Sequence, residues 1–213
     1  MRVMRLLLAL ALVALPAVAH ADADAVPVQN PSRDPQVVRL LDAKRTLNWN
    51  LERGANKDRY GHAEALIEAP AEQVAKTATE FGKYRDLHRK FKAARVIAKE
   101  GDKTDVYMRY PVQIGPMTIE LYAVMRFNPT RNVGGTYIIE AFGVKGDMKR
   151  GHTLITIKPV DARHAIMEVD VLLVPVLPAP QSYIDEELRD GAQDFINGIR
   201  DRAQPRPGPV ASL

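Results

Sequence analysis

Residues 65–96, which decide the fold, read ALIEAPAEQVAKTATEFGKYRDLHRKFKAARV. A short apolar strand at residues 65–67 leads to Pro70, which suits the start of a helix because its missing N–H would be unpaired there anyway. Apolar side chains then recur at helical spacing, at Val74, Ala78 and Phe81. We predict that this helix ends at Gly82, because glycine adopts the left-handed C-cap conformation without strain.

A second helical turn at residues 83–90 directs three large side chains inward: Tyr84, Leu87 and Phe91. Val96 then opens the next strand. This order of strand, two short helices and strand resembles the START-like superfamily, also called SRPBCC or helix-grip, which includes lipid-transfer START domains, coenzyme Q-binding proteins and polyketide cyclases. The resemblance is carried by residues 69–74 (APAEQV) and 81–84 (FGKY).

The resemblance covers residues 45–203 and implies an α+β helix-grip fold. In such a fold a curved antiparallel β-sheet wraps around a long C-terminal helix, and two short helices follow the first strand. This chain adds an extra N-terminal helix. The resemblance also implies a hydrophobic tunnel between the sheet and the C-terminal helix, but it names no ligand, because one fold serves many functions.

Residues 1–21 have the pattern of a secretory signal peptide, with Arg2 and Arg5 before an apolar run and Ala19-His20-Ala21 as the cleavage site. The apolar run is shorter than the ~20 residues that a spanning helix needs. We therefore expect a periplasmic or secreted protein. It would have a linker at residues 22–33, a START-like domain at 34–203 and a disordered, proline-rich tail at 204–213.

The chain is only mildly basic. Its 30 Lys and Arg residues exceed its 26 Asp and Glu residues by four, and removing Arg2 and Arg5 with the signal peptide leaves a net charge of +2. The basic residues are too dispersed for a nucleic-acid-binding surface, so we expect no nucleic-acid partner. The chain has no cysteine, which excludes disulfides and thiolate chemistry. We expect a monomer.

An amphipathic helix is predicted at residues 35–45, with Asp34 as its N-cap and Pro35 at its first position. Trp49, the only tryptophan, follows in an extended or short helical piece that ends at Gly54. We expect Trp49 to anchor the core rather than to contact a ligand.

Successive antiparallel strands are predicted at residues 95–99, 105–110, 117–127, 137–142, 152–158 and 165–174. Prolines and glycines predict a loop at 111–116, a turn at 128–135 and a mobile loop at 143–151.

Residues 177–180 end the sheet, and a long helix at 181–202 follows with Ser182 as its cap. Gly191 and Ala192 interrupt its apolar face. These small residues either let another element approach closely or leave space for a ligand.

The sequence contains no motif for metal binding or covalent catalysis. His62, His88, His152 and His164 lack ligand spacing and are interpreted as lone surface residues. The chain has neither a G-x-S-x-G motif nor a cysteine nucleophile. We therefore expect no cofactor, and a binding protein in preference to an enzyme.

The residues expected to line the tunnel share the inward face of the strands and of the C-terminal helix: Met108, Tyr110, Leu121, Met125, Tyr137, Ile139, Met167, Val169, Val171, Phe195 and Ile199. Core packing alone would also explain this set.

Arg109, with Glu140 or Glu168, is the candidate to orient a polar ligand group, and the alternative places these charges on the solvent face. Lys145, Lys149 and Arg150 are the candidates for contact with an anionic membrane surface, at ~1 kcal/mol each.

Three functions remain open at this point. The first is binding, and possibly transport, of a hydrophobic small molecule such as a lipid, sterol or quinone. The second is an enzyme of the polyketide cyclase type, in which Tyr110, Tyr137 and Arg109 would orient the polyketide. The third is an interaction module with a filled core. Cavity volume separates the first from the third.

Overall fold

A computed structural model describes residues 33–88, 90–114 and 116–204. The described residues form four α-helices: α1 (Pro35–Ala43), α2 (Ala71–Ala78), α3 (Tyr84–Leu87) and α4 (Gln181–Ala203). A 3-10 helix, Phe81–Lys83, precedes α3. They also form nine strands: β1 (Leu47–Arg53), β2 (Asp58–Ile67), β3 (Ala93–Glu100), β4 (Lys103–Ile114), β5 (Met117–Phe127), β6 (Arg131–Val133), β7 (Thr136–Gly146), β8 (Met148–Pro159) and β9 (Ala165–Pro175).

All nine strands belong to one curved antiparallel sheet in the order β1-β2-β9-β8-β7-β5-β4-β3, with β6 paired to β7 beside this path. Inward residues of the strands and the apolar face of α4 share one hydrophobic core. The predicted fold class is therefore confirmed: the chain is an α+β helix-grip protein with a long C-terminal helix against its sheet.

Helix α1 begins as predicted. The Asp34 carboxylate accepts hydrogen bonds from the backbone N–H groups of Gln36 (2.8 Å) and Val37 (3.4 Å), and Pro35 occupies the first turn. The helix ends at Ala43, two residues earlier than predicted, because Lys44 adopts the left-handed conformation (φ 51°). A second, small core forms where Val37 and Leu40 pack against Val160 and Ile166.

The fold-deciding stretch behaves as predicted in order but not in its boundaries. Its first strand is part of β2, which begins at Asp58 and pairs with both β1 and β9. Helix α2 ends at Ala78, so the predicted helix end at Gly82 is wrong, and Gly82 lies in the 3-10 helix. Tyr84 and Leu87 are buried as predicted.

The predicted loop at residues 111–116 is wrong over its first four residues, because β4 continues through Pro111 to Ile114. Pro111 pairs with Glu120 of β5, and Arg109 is the last residue of β4 that pairs with β3, opposite Ala93. The Arg109 carbonyl accepts a hydrogen bond from Lys92 N–H on the β3 side. Pro111 is two residues further along β4, so its nitrogen points to the same side as the backbone groups of Arg109. Strand β3 does not extend that far, so no hydrogen bond is lost through the missing N–H of Pro111.

The glycine-rich loop predicted at residues 143–151 is also wrong, since β7 runs to Gly146 and β8 starts at Met148. The Asp147 N–H donates to the Tyr122 carbonyl (2.9 Å), and the Asp147 carboxylate accepts from the Tyr122 N–H (3.0 Å). These two bonds tie the hairpin tip to β5. Similarly, the turn predicted at 128–135 contains the three-residue strand β6.

Helix α4 occupies the predicted residues, but Pro180 rather than Ser182 is its N-cap, and no side chain caps it. Two glycines allow close approach to it. A Cβ on Gly61 of β2 would overlap the Leu188 backbone, and a Cβ on Gly198 of α4 would overlap the Leu87 carbonyl. Helix α4 is therefore fixed against β2 at one point and against α3 at another.

The predicted signal peptide, and all of the predicted linker and tail except Arg33 and Gln204, lie outside the described residues. Within the described part of the chain, no helix is both long enough and apolar enough to cross a membrane.

Candidate ligand-binding cavity

A cavity of about 190 Å³ lies between the concave face of the sheet and the N-terminal half of α4. Strands β4, β5, β8 and β9 form its floor, α4 forms its roof, and the α3–β3 connection closes one side. The segment that follows β9 contributes Leu177 and Ala179. The wall is overwhelmingly apolar, which suits a hydrophobic ligand.

Seven of the eleven residues predicted to line the tunnel are on this wall: Met108, Tyr110, Leu121, Met125, Val169, Val171 and Phe195. The other four, Tyr137, Ile139, Met167 and Ile199, are not. They belong to the solid part of the core, where Ile139, Met167 and Ile199 have no exposed surface and Tyr137 packs at its margin.

Helix α2 explains this division. Its apolar residues Val74 and Ala78 are fully buried in the same core, and α2 contacts β7, β8, β9 and α4. The Gln73 side-chain amide donates to the Ala203 carbonyl (2.7 Å), which ties α2 to the end of α4. The C-terminal half of α4 therefore meets a filled interior, and the open space lies under its N-terminal half.

Aromatic rings form the inner end of the cavity. Tyr84 contacts both Phe127 (centroids 5.8 Å apart) and Phe195 (5.2 Å) in edge-to-face geometry. The Tyr84 hydroxyl donates to the Ala78 carbonyl (2.6 Å), so it is already satisfied, and burial raises its pKa well above the ordinary value. Paired rings with a satisfied hydroxyl make this end of the wall rigid and apolar.

His88 is a wall residue that the sequence interpretation placed on the surface; the structure buries it to 6% exposure. Its Nδ1 accepts a hydrogen bond from the Lys90 N–H (3.2 Å), so the neutral ring carries its proton on Nε2. Burial lowers the His88 pKa, against the opposing effect of Asp194. At neutral pH, His88 therefore presents an uncharged N–H donor.

Tyr110 and an ion pair supply the other polar atoms. Burial raises the Tyr110 pKa well above its ordinary value, so its hydroxyl stays protonated. Lys90 Nζ lies 3.1 Å from the Glu187 carboxylate, so these two wall charges neutralise each other. The Phe91 ring contacts both polar side chains, with ring centroids 4.7 Å from His88 and 6.4 Å from Tyr110.

The predicted polar orienting residue is not in the cavity. Arg109 is about half exposed and lies 3.4 Å from Glu120, its partner on the outer face of the sheet. Neither Glu140 nor Glu168 contacts it: Glu140 pairs with His152 (3.1 Å) and Glu168 with Lys158 (2.7 Å). The alternative interpretation, which placed Arg109 on the solvent face, describes its position.

The predicted membrane-contact residues lie around the β7–β8 hairpin tip. Lys145 and Lys149 are exposed, whereas Arg150 makes a two-pronged ion pair with Asp58 (2.6 Å for both bonds). The tip adjoins the segment after β9, because the Val176 N–H donates to the Asp147 carbonyl (3.0 Å).

On the outer face of the sheet, His62 is buried beside Asp170, with 2.6 Å between Nδ1 and Oδ1. Arg53 contacts the other carboxylate oxygen (2.7 Å), and Trp49 lies over the His62 ring (centroids 4.3 Å apart). The interpretation of His62 as a lone surface residue is therefore wrong, and Asp170 is buried beside it. Trp49 is half-buried at this edge and neither anchors the core nor lines the cavity.

The neighbouring carboxylates of Glu64 and Glu168 lie opposite each other on β2 and β9. Gln36 of α1 donates its side-chain amide to both, at 2.8 and 2.5 Å. Arg39 Nη2 lies 2.5 Å from Glu64, whose side chain is buried. This polar contact fastens α1 to the outer face of the sheet, away from the cavity.

The remaining histidines bond locally. His152 bonds Tyr60 and Glu140, and His164 bonds Asp161. Among the described residues, no group of three His, Asp or Glu side chains is placed to hold a metal ion.

Comparison with solved structures agrees with this architecture. The STAR-related lipid transfer protein of Xanthomonas axonopodis superposes with a TM-score of 0.60 at 14% identity, over 72% of this chain and 92% of that one. The chain has a START-like, helix-grip fold. The human StarD13 lipid transfer and protein localization domain (TM-score 0.58, 14% identity, 76% of this chain and 86% of that one) also shares the START-like fold. So does human STARD10 (0.58, 12%, 85% and 83%). No family model and no curated protein matches the chain. At these identities the likeness concerns the fold.

Proposed function

We propose that this protein binds a hydrophobic small molecule, such as a lipid, sterol or quinone, in the cavity between the sheet and α4, and transports it. The observation that carries the proposal is the space itself: about 190 Å³ with an apolar wall, next to the buried hydrophobic core. An engineered apolar cavity of about 150 Å³ already binds benzene. Burial of apolar ligand surface, at roughly 25 cal/mol per Å², supplies the affinity without any chemistry.

The cyclase alternative has less support from the geometry. Of the three polar residues expected to orient a polyketide, only Tyr110 lines the cavity, since Tyr137 and Arg109 lie elsewhere. The filled-core alternative requires that this space be absent. The START-like neighbours named for lipid transfer are consistent with the binding function.

Native mass spectrometry tests the proposal. The protein is purified from its own source cells without detergent, its mass is measured, and the bound material is extracted and identified. We expect an apolar molecule at near-stoichiometric level. A bare mass that persists after incubation with mixed lipids would contradict the proposal. N-terminal sequencing and fractionation of the same cells test export through residues 1–21.

Membrane contact by Lys145, Lys149 and Arg150 remains part of the proposal. It is supported by the exposure of the two lysines and by the position of the hairpin tip beside the segment that carries Leu177. Since Arg150 is already paired with Asp58, the lysines would contribute most of the attraction. Liposomes with anionic lipid should bind the Lys145→Ala, Lys149→Ala double variant more weakly than the parent protein, and equal binding would contradict the contact.

A further inference from the structure

Two polar atoms of the cavity wall have no partner within the described protein. The Tyr110 hydroxyl makes no hydrogen bond with any described residue, although the side chain lines the cavity. His88 Nε2 lies 4.0 Å from the nearest Asp194 carboxylate oxygen, which is beyond hydrogen-bond distance. Polar groups in apolar surroundings normally have a hydrogen-bond partner. Two unpartnered polar groups on one wall therefore indicate that the ligand supplies the partner.

The surroundings of His88 determine which of its ring nitrogens can hydrogen-bond to a ligand. Its bond from the Lys90 N–H holds the ring and occupies Nδ1, which leaves Nε2–H as the free donor. Gly191 of α4 leaves room beside this nitrogen, because a Cβ at that position would still be 3.8 Å away from Nε2. A ligand atom can therefore approach the donor from the cavity.

The charge balance of the wall restricts the ligand further. Lys90 and Glu187 are the charged wall residues, and they pair with each other at 3.1 Å. No other charged residue in the described part of the chain lines the cavity, so an ionised group drawn inside would have no counter-ion. Burying an unpaired charge costs far more than burying a neutral oxygen that finds its donor.

We infer that the cavity selects a neutral apolar molecule bearing a hydrogen-bond-accepting oxygen, such as a ketone or an alcohol, which His88 Nε2–H and the Tyr110 hydroxyl hold. This inference rests on the proposed function. The cavity, at about 190 Å³, encloses a portion of one or two rings or a short chain. Any longer part of the ligand would leave the cavity beside Leu177 and Tyr183, which line it and are both exposed.

Three matched probes test the inference: 2-ethylnaphthalene, 2-acetylnaphthalene and 2-naphthoate, titrated against the full protein at pH 7.5 by fluorescence and calorimetry. A net hydrogen bond changes affinity by a factor of several, so we expect the ketone to bind about tenfold more tightly than the hydrocarbon. The carboxylate should bind more weakly than both.

Two substitutions locate the effect. Tyr110→Phe removes the hydroxyl, and His88→Asn keeps an acceptor for the Lys90 N–H while removing the Nε2 donor. Each should reduce the preference for the ketone over the hydrocarbon, measured in the same variant, to about threefold or less. Tyr107→Phe, on the outer face of the same strand, is the matched control and should behave like the parent protein. Thermal melting confirms that each variant folds, and if His88→Asn does not, Tyr110→Phe and the three probes decide.

The outcomes separate the two proposals. If none of the three probes binds, the proposed function fails and this inference fails with it. If the hydrocarbon binds but the ketone gains nothing, or if the carboxylate binds most tightly, the inference is overturned while the cavity remains a binding site. A ketone preference that survives in both Tyr110→Phe and His88→Asn would likewise overturn the assignment.

Discussion

Gly191 offers a direct way to close the cavity from within. It lies on the wall at the middle of α4, and a Cβ there would meet only His88 Nε2, at 3.8 Å. A substituted side chain would therefore project into open space rather than into neighbouring atoms. Gly191→Phe places a phenyl ring where we propose that the ligand binds.

The expected magnitude follows from the volume. A benzene ring is accommodated by a cavity of about 150 Å³. The new ring therefore takes up most of the 190 Å³ available. Burying it contributes about 1.5–3 kcal/mol. Replacing a helix-interior glycine with phenylalanine contributes roughly 0.3–0.5 kcal/mol more, which is less than the gain for alanine. Together these raise the free energy of unfolding by about 2–4 kcal/mol, or Tm by roughly 5–15 °C.

Thermal melting and ligand titration on the same samples measure both effects. We expect Gly191→Phe to melt higher and to lose at least tenfold in affinity for 2-ethylnaphthalene. Gly191→Ala is the matched control, because it has the helix gain of about 0.5–1 kcal/mol without filling the space. Unchanged affinity in Gly191→Phe, or a melting temperature below that of Gly191→Ala, would refute the reasoning.

Three further changes test other parts of the structure. Gly61→Ala should destabilise by about 3 kcal/mol, because its Cβ overlaps the α4 backbone, whereas Gly82→Ala, with no atom near its Cβ, should not; equal denaturant midpoints would contradict the close approach. Burial lowers the His88 pKa, so below a pH of about 6.5 the unfolded chain binds a proton at this residue that the folded protein does not. The free energy of unfolding should therefore fall as pH drops from about 6.5 towards the folded-state pKa. If the parent protein and His88→Asn had the same dependence of melting temperature on pH between 7.5 and 5, this prediction would be contradicted. Asp170→Ala removes one partner of the buried His62–Asp170 pair on the outer face of the sheet and should lower the free energy of unfolding by about 3 kcal/mol. Ligand affinity should not change, because the cavity lies on the opposite face, and a loss of affinity in the folded variant would contradict this.

Alternation along a strand predicted which side chains face inward but not how far along the sheet they lie. Met125 and Met167 both face the interior, yet Met125 lines the cavity and Met167 is packed in the solid core. The difference depends on where α2 covers the concave face, which is a tertiary property. The two-residue alternation along the strands therefore predicted which side chains face the interior. It did not predict which part of the interior is filled, because that depends on the position of α2.

Proline and glycine misled the prediction where neighbours decide the outcome. Pro111 is tolerated because β3 has ended on the side to which its nitrogen points, and no local pattern reports that. Residues 143–146 pair with β5 and residues 148–151 pair with β9, and Asp147 between them bonds to Tyr122 of β5. Similarly, Asp170 alternates with apolar residues like a solvent-facing acid, but His62 and Arg53 cover it.

His88 could have been found from the sequence. It lies four residues after Tyr84 and next to Leu87, so it shares the inward face of the predicted helical turn. The absence of metal-ligand spacing directed attention away from it. A neutral histidine among inward aromatic residues is a hydrogen-bonding candidate even where it cannot be a metal ligand.

The central claim is that the space under α4 binds an apolar molecule, and the methionine methyl groups report on it directly. Met108 and Met125 line the cavity, whereas Met117 lies outside it and is 60% exposed. The experiment uses protein in which the methionine methyl groups are labelled with ¹³C. Titration with 2-ethylnaphthalene, followed by NMR, should move the Met108 and Met125 signals to saturation and leave Met117 in place. The absence of a saturable shift at Met108 and Met125, or a shift at Met117 alone, would contradict the claim.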